Sequence, residues 1–379
     1  MLRWSFKYGI VLLLFNTILL SIESTYIIGN QFFLFLMVWY SALFLLHPRN
    51  LKEFLFHKAF LFFLLLNLIN VFYFILFHEF SELEAIKYLL ARSMQFFIVS
   101  SSVLFHYNYF KEKFLEHVVY VVGFIVSISL IYNIDLFSGR YSGIIWNPNM
   151  LSSFVVIAFS ILFLKTKRYS RLDVVLLLLF VIVGLATGSR GSIVAIVLAY
   201  FIKHGTAKRN MLYALIALVF ILLIVWLPFD TSVNRLFSES MFHDRVLQYK
   251  FAIESFYQKI YIGYGLDKYS YIDMSLVPLH LKPMVKGAHN GYLAIFTQYG
   301  IIFGTLVLSI ILKKSIQLIN IFRNSSGNEK AYVFIIVYAL VASLYESLLV
   351  GINEFHTILF WISLAFLSVT KFKKENHEY

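Results

Sequence analysis

Residues 59–78 read AFLFFLLLNLINVFYFILFH, twenty positions without a Lys, Arg, Asp, Glu, Gly or Pro. A helix needs about 20 mostly apolar residues to cross the hydrocarbon core of a bilayer, and nothing in this run would break one. The pattern recurs along the chain. Twelve such runs lie at roughly 8–22, 31–47, 59–78, 86–106, 117–135, 149–164, 173–188, 191–202, 211–228, 289–311, 331–350 and 354–370. The predicted fold is an all-α polytopic membrane protein of about twelve transmembrane helices, with residues 1–379 forming a single membrane domain. Arg3 and Lys7 ahead of the first run look like the start of a signal peptide. Ser21-Ile22-Glu23-Ser24 is a poor cleavage site, so the run reads as a retained span.

Composition points the same way. Of 379 residues, 60% are hydrophobic and 14% charged, against roughly 45–50% and about 25% in soluble domains. A compact soluble chain of this size could not cover so much apolar surface. Forty-one Phe and five Pro argue against disorder. With no Cys, disulfides, thiolate metal sites and thiol catalysis are excluded.

The formal charge of +12 could be a nucleic-acid footprint, and placement decides. With both termini cytoplasmic and the spans alternating, inner segments hold 21 of the 32 basic residues and 7 of the 20 acidic ones. The net charge is then +14 inside and −2 outside. The charge records orientation, and nucleic acid is not an expected partner. Residues 228–288 form one large outer loop between spans nine and ten, Tyr-rich and charged. A loop that long is usually functional or disordered, and its aromatic content favours function.

Ionisable groups within spans are costly and suggest function. Arg92, Asp135, Arg190, His289 and Glu346 all fall at or near the outer ends of their spans. Arg92 and Asp135 serve equally well as interfacial residues. Thr187-Gly188-Ser189-Arg190-Gly191-Ser192 joins two spans closely. Its glycines, backbone N–H groups and guanidinium suit a phosphate or diphosphate. Arg140-Tyr141-Ser142-Gly143 and Trp146-Asn147-Pro148-Asn149 precede span six, as a binding cluster or a helix-entry turn. Phe242-His243-Asp244-Arg245 is followed by Gly263-Tyr264-Gly265, and Arg245 could hold a phosphate or pair with a nearby acid. Gly287-Ala288-His289-Asn290-Gly291 opens span ten, where His289 could take a hydroxyl proton.

In this order the clusters resemble the O-antigen ligase and polymerase superfamily of bacterial integral membrane proteins. The matching stretches are 146–151, 187–192, 244–265 and 288–304, ending with Tyr345-Glu346-Ser347, Asn353 and Trp361. The resemblance implies a GT-C-like, metal-independent glycosyltransferase without cofactors in the cytoplasmic (inner) membrane, its active site facing the periplasm or exterior. Its donor would be a glycan on undecaprenyl diphosphate, and its acceptor another glycan or lipid A–core. Membrane lipids, chain-length regulators and flippases are further implied partners. His289, Arg190 and Arg245 would be catalytic. Gly188, Ser189, Gly191, Asn290, Glu346, Arg140, Asn147 and Arg92 would bind substrate. The expected product is an O-antigen, capsule or exopolysaccharide built by a polymerase; a ligase acting on lipid A–core or protein is the alternative. A twelve-span transporter is a third reading. It predicts polar groups near the midplane and broken helices in both halves, whereas here they collect at one side.

Overall fold

The computed structural model describes residues 2–136, 139–166, 168–213 and 240–376. These residues are helical, with no strand among them. In order the helices are α1 (Leu2–Ser21), α2 (Tyr26–Leu46), α3 (Pro48–Leu55), α4 (Leu61–Phe77), α5 (Leu83–Phe105), α6 (Tyr107–Glu112) and α7 (Phe114–Tyr132). They continue with α8 (Pro148–Leu164), α9 (Arg171–Ala186), α10 (Arg190–His204), α11 (Ser240–Gln258), α12 (Gly291–Phe322), α13 (Asn328–Ala342) and α14 (Phe355–Glu375).

Eleven of the twelve apolar runs coincide with a helix; most of the ninth, from residue 214 on, and residues 228–239 of the long loop lie outside the described residues. Among the described residues, seven segments are long and apolar enough to cross a membrane: α1, α2, α4, α5, α7, α12 and α14. The other four are shorter, at 17 residues in α8, 16 in α9 and 15 in α10 and α13. A 15-residue helix rises about 22 Å, against a hydrocarbon core of roughly 30 Å. Irregular chain follows at their ends, and the candidate site lies there.

Local sequence sets these ends. Asn147 caps α8 through Asn149 N, with Pro148 at the first helical position. Ser170 and Asp173 form a reciprocal capping box at the start of α9. Asn290 caps α12 by accepting from the Tyr292 and Leu293 N–H groups. α14 is apolar on all sides because it is the buried axis of the bundle: it packs on α5, α13, α12, α8 and α1, and every residue from Phe355 to Thr370 except His356 is buried. By contrast Leu45 and Ile131, on peripheral helices, are 82% and 86% exposed, as lipid-facing residues should be.

α12 is broken at Gly300, whose φ of 67° is non-helical. The chain at 260–265 fills the break. Tyr264 N donates to Thr297 O at 2.9 Å, Gly265 N to Gln298 O at 3.1 Å and Ile301 N to Ile260 O at 2.6 Å. A Cβ at Gly263 would stand 2.4 Å from Gln298 O, and one at Gly300 2.4 Å from Tyr261 O. Glycine at both positions permits the crossing, which re-satisfies backbone groups freed by the kink.

Candidate active site

α8, α10, α12 and α14 begin, and α9 and α13 end, at one end of the bundle. Between these ends lies a cavity of about 620 Å³. Arg140, Asn147, Gly188, Ser189, Arg190, Gly191, Arg245, His289 and Glu346 all line it. Residues up to 206 apart in sequence thus share one space.

Two turns carry the chemistry. The first, 187–189, is tight and built from its own atoms. Gly188 has φ 59°, a conformation disfavoured by about 1 kcal/mol or more in residues with a Cβ. Thr187 Oγ1 accepts from Ser189 N at 3.3 Å and donates to Gly184 O at 2.7 Å. Arg190 follows at the first position of α10. Burial, and then the like charge of Arg245, hold its guanidinium below the usual arginine range. Arg140 is tied to the same turn, donating through Nε to Thr187 O at 3.1 Å and through Nη2 to Asn149 Oδ1. Guanidinia gathered near exposed backbone at a helix start suit a diphosphate.

The second turn, 343–354, has no regular structure. Irregular backbone at membrane depth needs donors from the protein for its carbonyls, and nine of them have one, Glu354 O accepting from Ile358 N at 2.9 Å. Gly291 N donates to Ser343 O at 2.8 Å and to Glu346 O at 3.1 Å. Leu344 O accepts from Tyr249 Oη at 2.8 Å and Asn290 Nδ2 at 3.0 Å. Tyr345 O accepts from Arg245 Nη1, Ser347 O from Tyr269 Oη and Leu348 O from Thr357 Oγ1. Arg92 donates to Val350 O and Gly351 O. Gly191 packs this turn against the first: a Cβ there would stand 3.3 Å from Tyr345 Oη.

Glu346 is thereby fixed between two partners. Its Oε1 lies 2.7 Å from Arg245 Nη2 and its Oε2 3.2 Å from His289 Nδ1. Asn149 Nδ2 adds a longer contact to Oε1 at 3.4 Å. Burial alone would raise the Glu346 pKa. The hydrogen bond from His289 and the charges of Arg245 and His289 outweigh it and hold the carboxyl below the usual range. An ionised carboxylate only accepts hydrogen bonds, so Nδ1 of His289 donates to Glu346, and in the neutral imidazole Nε2 is then the acceptor. His289 has φ 41°, uncommon for a residue with a Cβ and of the kind that collects at functional sites.

Three sequence expectations need correction. Glu346 is not in span eleven: α13 stops at Ala342 and Glu346 lies in the turn beyond. Asn290 does not line the cavity; it caps α12 and braces Leu344 O, so its influence passes through His289 and Glu346. Arg92 is 2% exposed and separate from the cavity, stacked near Tyr88 and Phe96 and hydrogen-bonded to Gln95. Its stem sits inside the bundle because two carbonyls of the second turn need its donors.

Sequence reading also passed over groups that line the cavity: Asn149, Lys286, Glu354 and His356. Asn149 was visible in the Asn-Pro-Asn run. The others had no local signal. Among the described residues, no group of three or more His, Asp or Glu is placed to hold a metal ion.

Residues 174–309 match the family model described as O-antigen ligase. Over that stretch the chain is similar to a glycosyltransferase-like family, in accord with the resemblance read from its motifs. The matched stretch contains Arg190, Arg245 and His289; Arg140, Asn147 and Glu346 lie outside it. No curated protein matches the chain.

Proposed function

We propose that the chain is a polysaccharide polymerase of the inner membrane, joining glycan repeat units carried on undecaprenyl diphosphate. The observation that carries the reading is the Arg245–Glu346–His289 set, facing one cavity with Arg190. The acceptor hydroxyl oxygen attacks the anomeric carbon of the donor. The bond from that carbon to the diphosphate oxygen breaks, and its electron pair leaves with the diphosphate. His289 Nε2 takes the hydroxyl proton. Arg190 and Arg245 stabilise the charge on the departing diphosphate. Glu346 holds the His289 tautomer and orients Arg245. The anomeric centre inverts, no metal takes part, and the fold is of the GT-C type. The basic loops opposite the cavity support an outward-facing site with both termini cytoplasmic.

The description of the matched family favours a second reading, an O-antigen ligase moving the finished chain to lipid A–core or a protein. Deleting the gene and analysing the glycans separates the two. Single-repeat material still attached, with long chains lost, identifies a polymerase. Long chains accumulating on the lipid carrier identify a ligase. Arg190→Ala, Arg245→Ala and His289→Ala are each expected to abolish transfer while the protein still inserts. Full transfer by purified His289→Ala protein removes the base assignment, and strict dependence on added Mg²⁺ removes the metal-free one.

A further inference from the structure

The cavity holds a second carboxylate–imidazole pair that this mechanism does not use. Glu354 ends the second turn and His356 is the second residue of α14. His356 Nε2 lies 3.3 Å from Glu354 Oε2, with side chains 15% and 33% exposed, and both line the cavity. Thr357 Oγ1, which donates to Leu348 O, stands 2.9 Å from Glu354 Oε2.

Three observations set this corner apart from ordinary packing. The preceding residue, Asn353, has a left-handed φ of 61°. Its Oδ1 is buried without a hydrogen-bond partner among the described residues, and the buried Nε2 of His356 has the Glu354 contact but no aligned hydrogen bond. A Cβ at Gly351 would stand 1.9 Å from Glu354 Oε2, so the backbone makes room for the carboxylate as placed. A buried polar atom left unmade costs about 1–3 kcal/mol. Such atoms, and strained backbone beside them, collect where a ligand completes the set.

The chemistry of the pair selects the ligand. A carboxylate accepts hydrogen bonds, and an imidazole can offer one donor and one acceptor. Together they suit the hydroxyls of a sugar. A carboxylate also repels a diphosphate, which the cations lining the cavity, Arg140, Arg190 and Lys286, attract. A transferase acting on two substrates needs a sugar position besides the one for the diphosphate. We infer that Glu354 and His356 bind hydroxyls of the acceptor sugar, forming a subsite distinct from the one for the donor diphosphate. The inference rests on the glycan-transfer reading.

Two probes separate the subsites on purified full-length protein in lipid nanodiscs. One is the lipid-free oligosaccharide repeat released by mild acid from the host's own polymer. The other is undecaprenyl diphosphate without a glycan. Loss of a hydrogen bond to a charged group predicts that Glu354→Gln weakens oligosaccharide binding by about tenfold or more, with lipid diphosphate binding unchanged. In turnover it raises the acceptor KM more than it lowers kcat. Arg190→Ala gives the reverse binding pattern, losing the lipid diphosphate and keeping the oligosaccharide. Should Glu354→Gln fail to fold, His356→Asn carries the same expectation. Wild-type affinity for the oligosaccharide in both variants overturns the subsite, as does equal loss of both probes. Wild-type protein that binds neither probe removes the glycan-transfer reading first, before any variant is compared.

Discussion

The two turns at the cavity reach the same chemistry by opposite routes. The 187–189 turn is three residues long, and its shape follows from Gly188 and the Thr187 hydroxyl within it. The 343–354 turn is four times as long and is held by side chains from Arg92, Arg245, Tyr249, Tyr269, Asn290 and Thr357. A short turn can carry its own geometry. A long one in a membrane borrows its geometry from the bundle, because each carbonyl must find a donor without water. The first turn should therefore tolerate distant changes and the second should not.

The largest expected effect is at the residue the long turn exists to place. Glu346→Gln keeps the shape but loses the charge that fixes the His289 tautomer and pairs with Arg245. Transfer by reconstituted protein should fall about 100- to 10,000-fold, the range a positioned base contributes. Because the folded carboxyl is held below its ordinary range, its contribution to stability is complete above about pH 4.3 and is lost as pH falls through the lower folded value. Thermal melts of wild type and Glu346→Gln should differ at neutral pH and converge in acid. A constant gap down to pH 3 would show that the carboxylate's charge is not what the turn uses.

Next comes the short turn. Arg190→Lys retains the charge but loses the planar fork, and a factor of about 100 in transfer is expected, as for loss of one oriented donor to developing negative charge. Stability should scarcely change, since the turn's own bonds remain. A large drop in melting temperature would mean that Arg190 holds the turn together, and the contrast between the two turns would fail.

Arg92→Met tests borrowing directly. It leaves Val350 O and Gly351 O without their Arg92 donors, and each unmet carbonyl costs about 1–3 kcal/mol. The melting temperature should fall and so should kcat, with less effect on KM, although Arg92 is outside the cavity. Lysine at this position should restore part of both. If Arg92→Met lowers stability and leaves kcat intact, the brace matters to the fold and not to Glu346.

The same contrast explains what the sequence could and could not reveal. Helix positions were legible because apolar runs report burial in lipid or protein without reference to partners. Gly188, Ser189, Arg190 and Gly191 were legible because the turn's function lies in adjacent residues. Arg92 was recognised as unusual and read as substrate-binding or interfacial, and its place against the second turn was not foreseen. Its partners are some 258 residues away, and a guanidinium bracing carbonyls looks the same in sequence as one awaiting a phosphate. Glu346 was assigned to a helix because 343–350 is nearly as apolar as the span before it. Only the hydrogen bonds from Asn290 and Gly291 show that α13 has already ended. Glu354 and His356 gave no signal, since a Glu and a His two residues apart are ordinary at a helix start.

The smallest effects come from two glycines, one in each turn. At Gly188 the φ of 59° is the constraint, so Gly188→Ala should cost about 1 kcal/mol whatever surrounds it, and transfer should fall with the fraction of misshapen turn. At Gly351 φ is not positive, and the obstacle to a Cβ is the Glu354 carboxylate. That group can swing aside, so Gly351→Ala should melt close to wild type. Its cost should appear in acceptor affinity, because the carboxylate has moved from His356. A loss of stability at Gly351 as large as at Gly188 would mean that the carboxylate cannot move, and that the second turn is as rigid as the first.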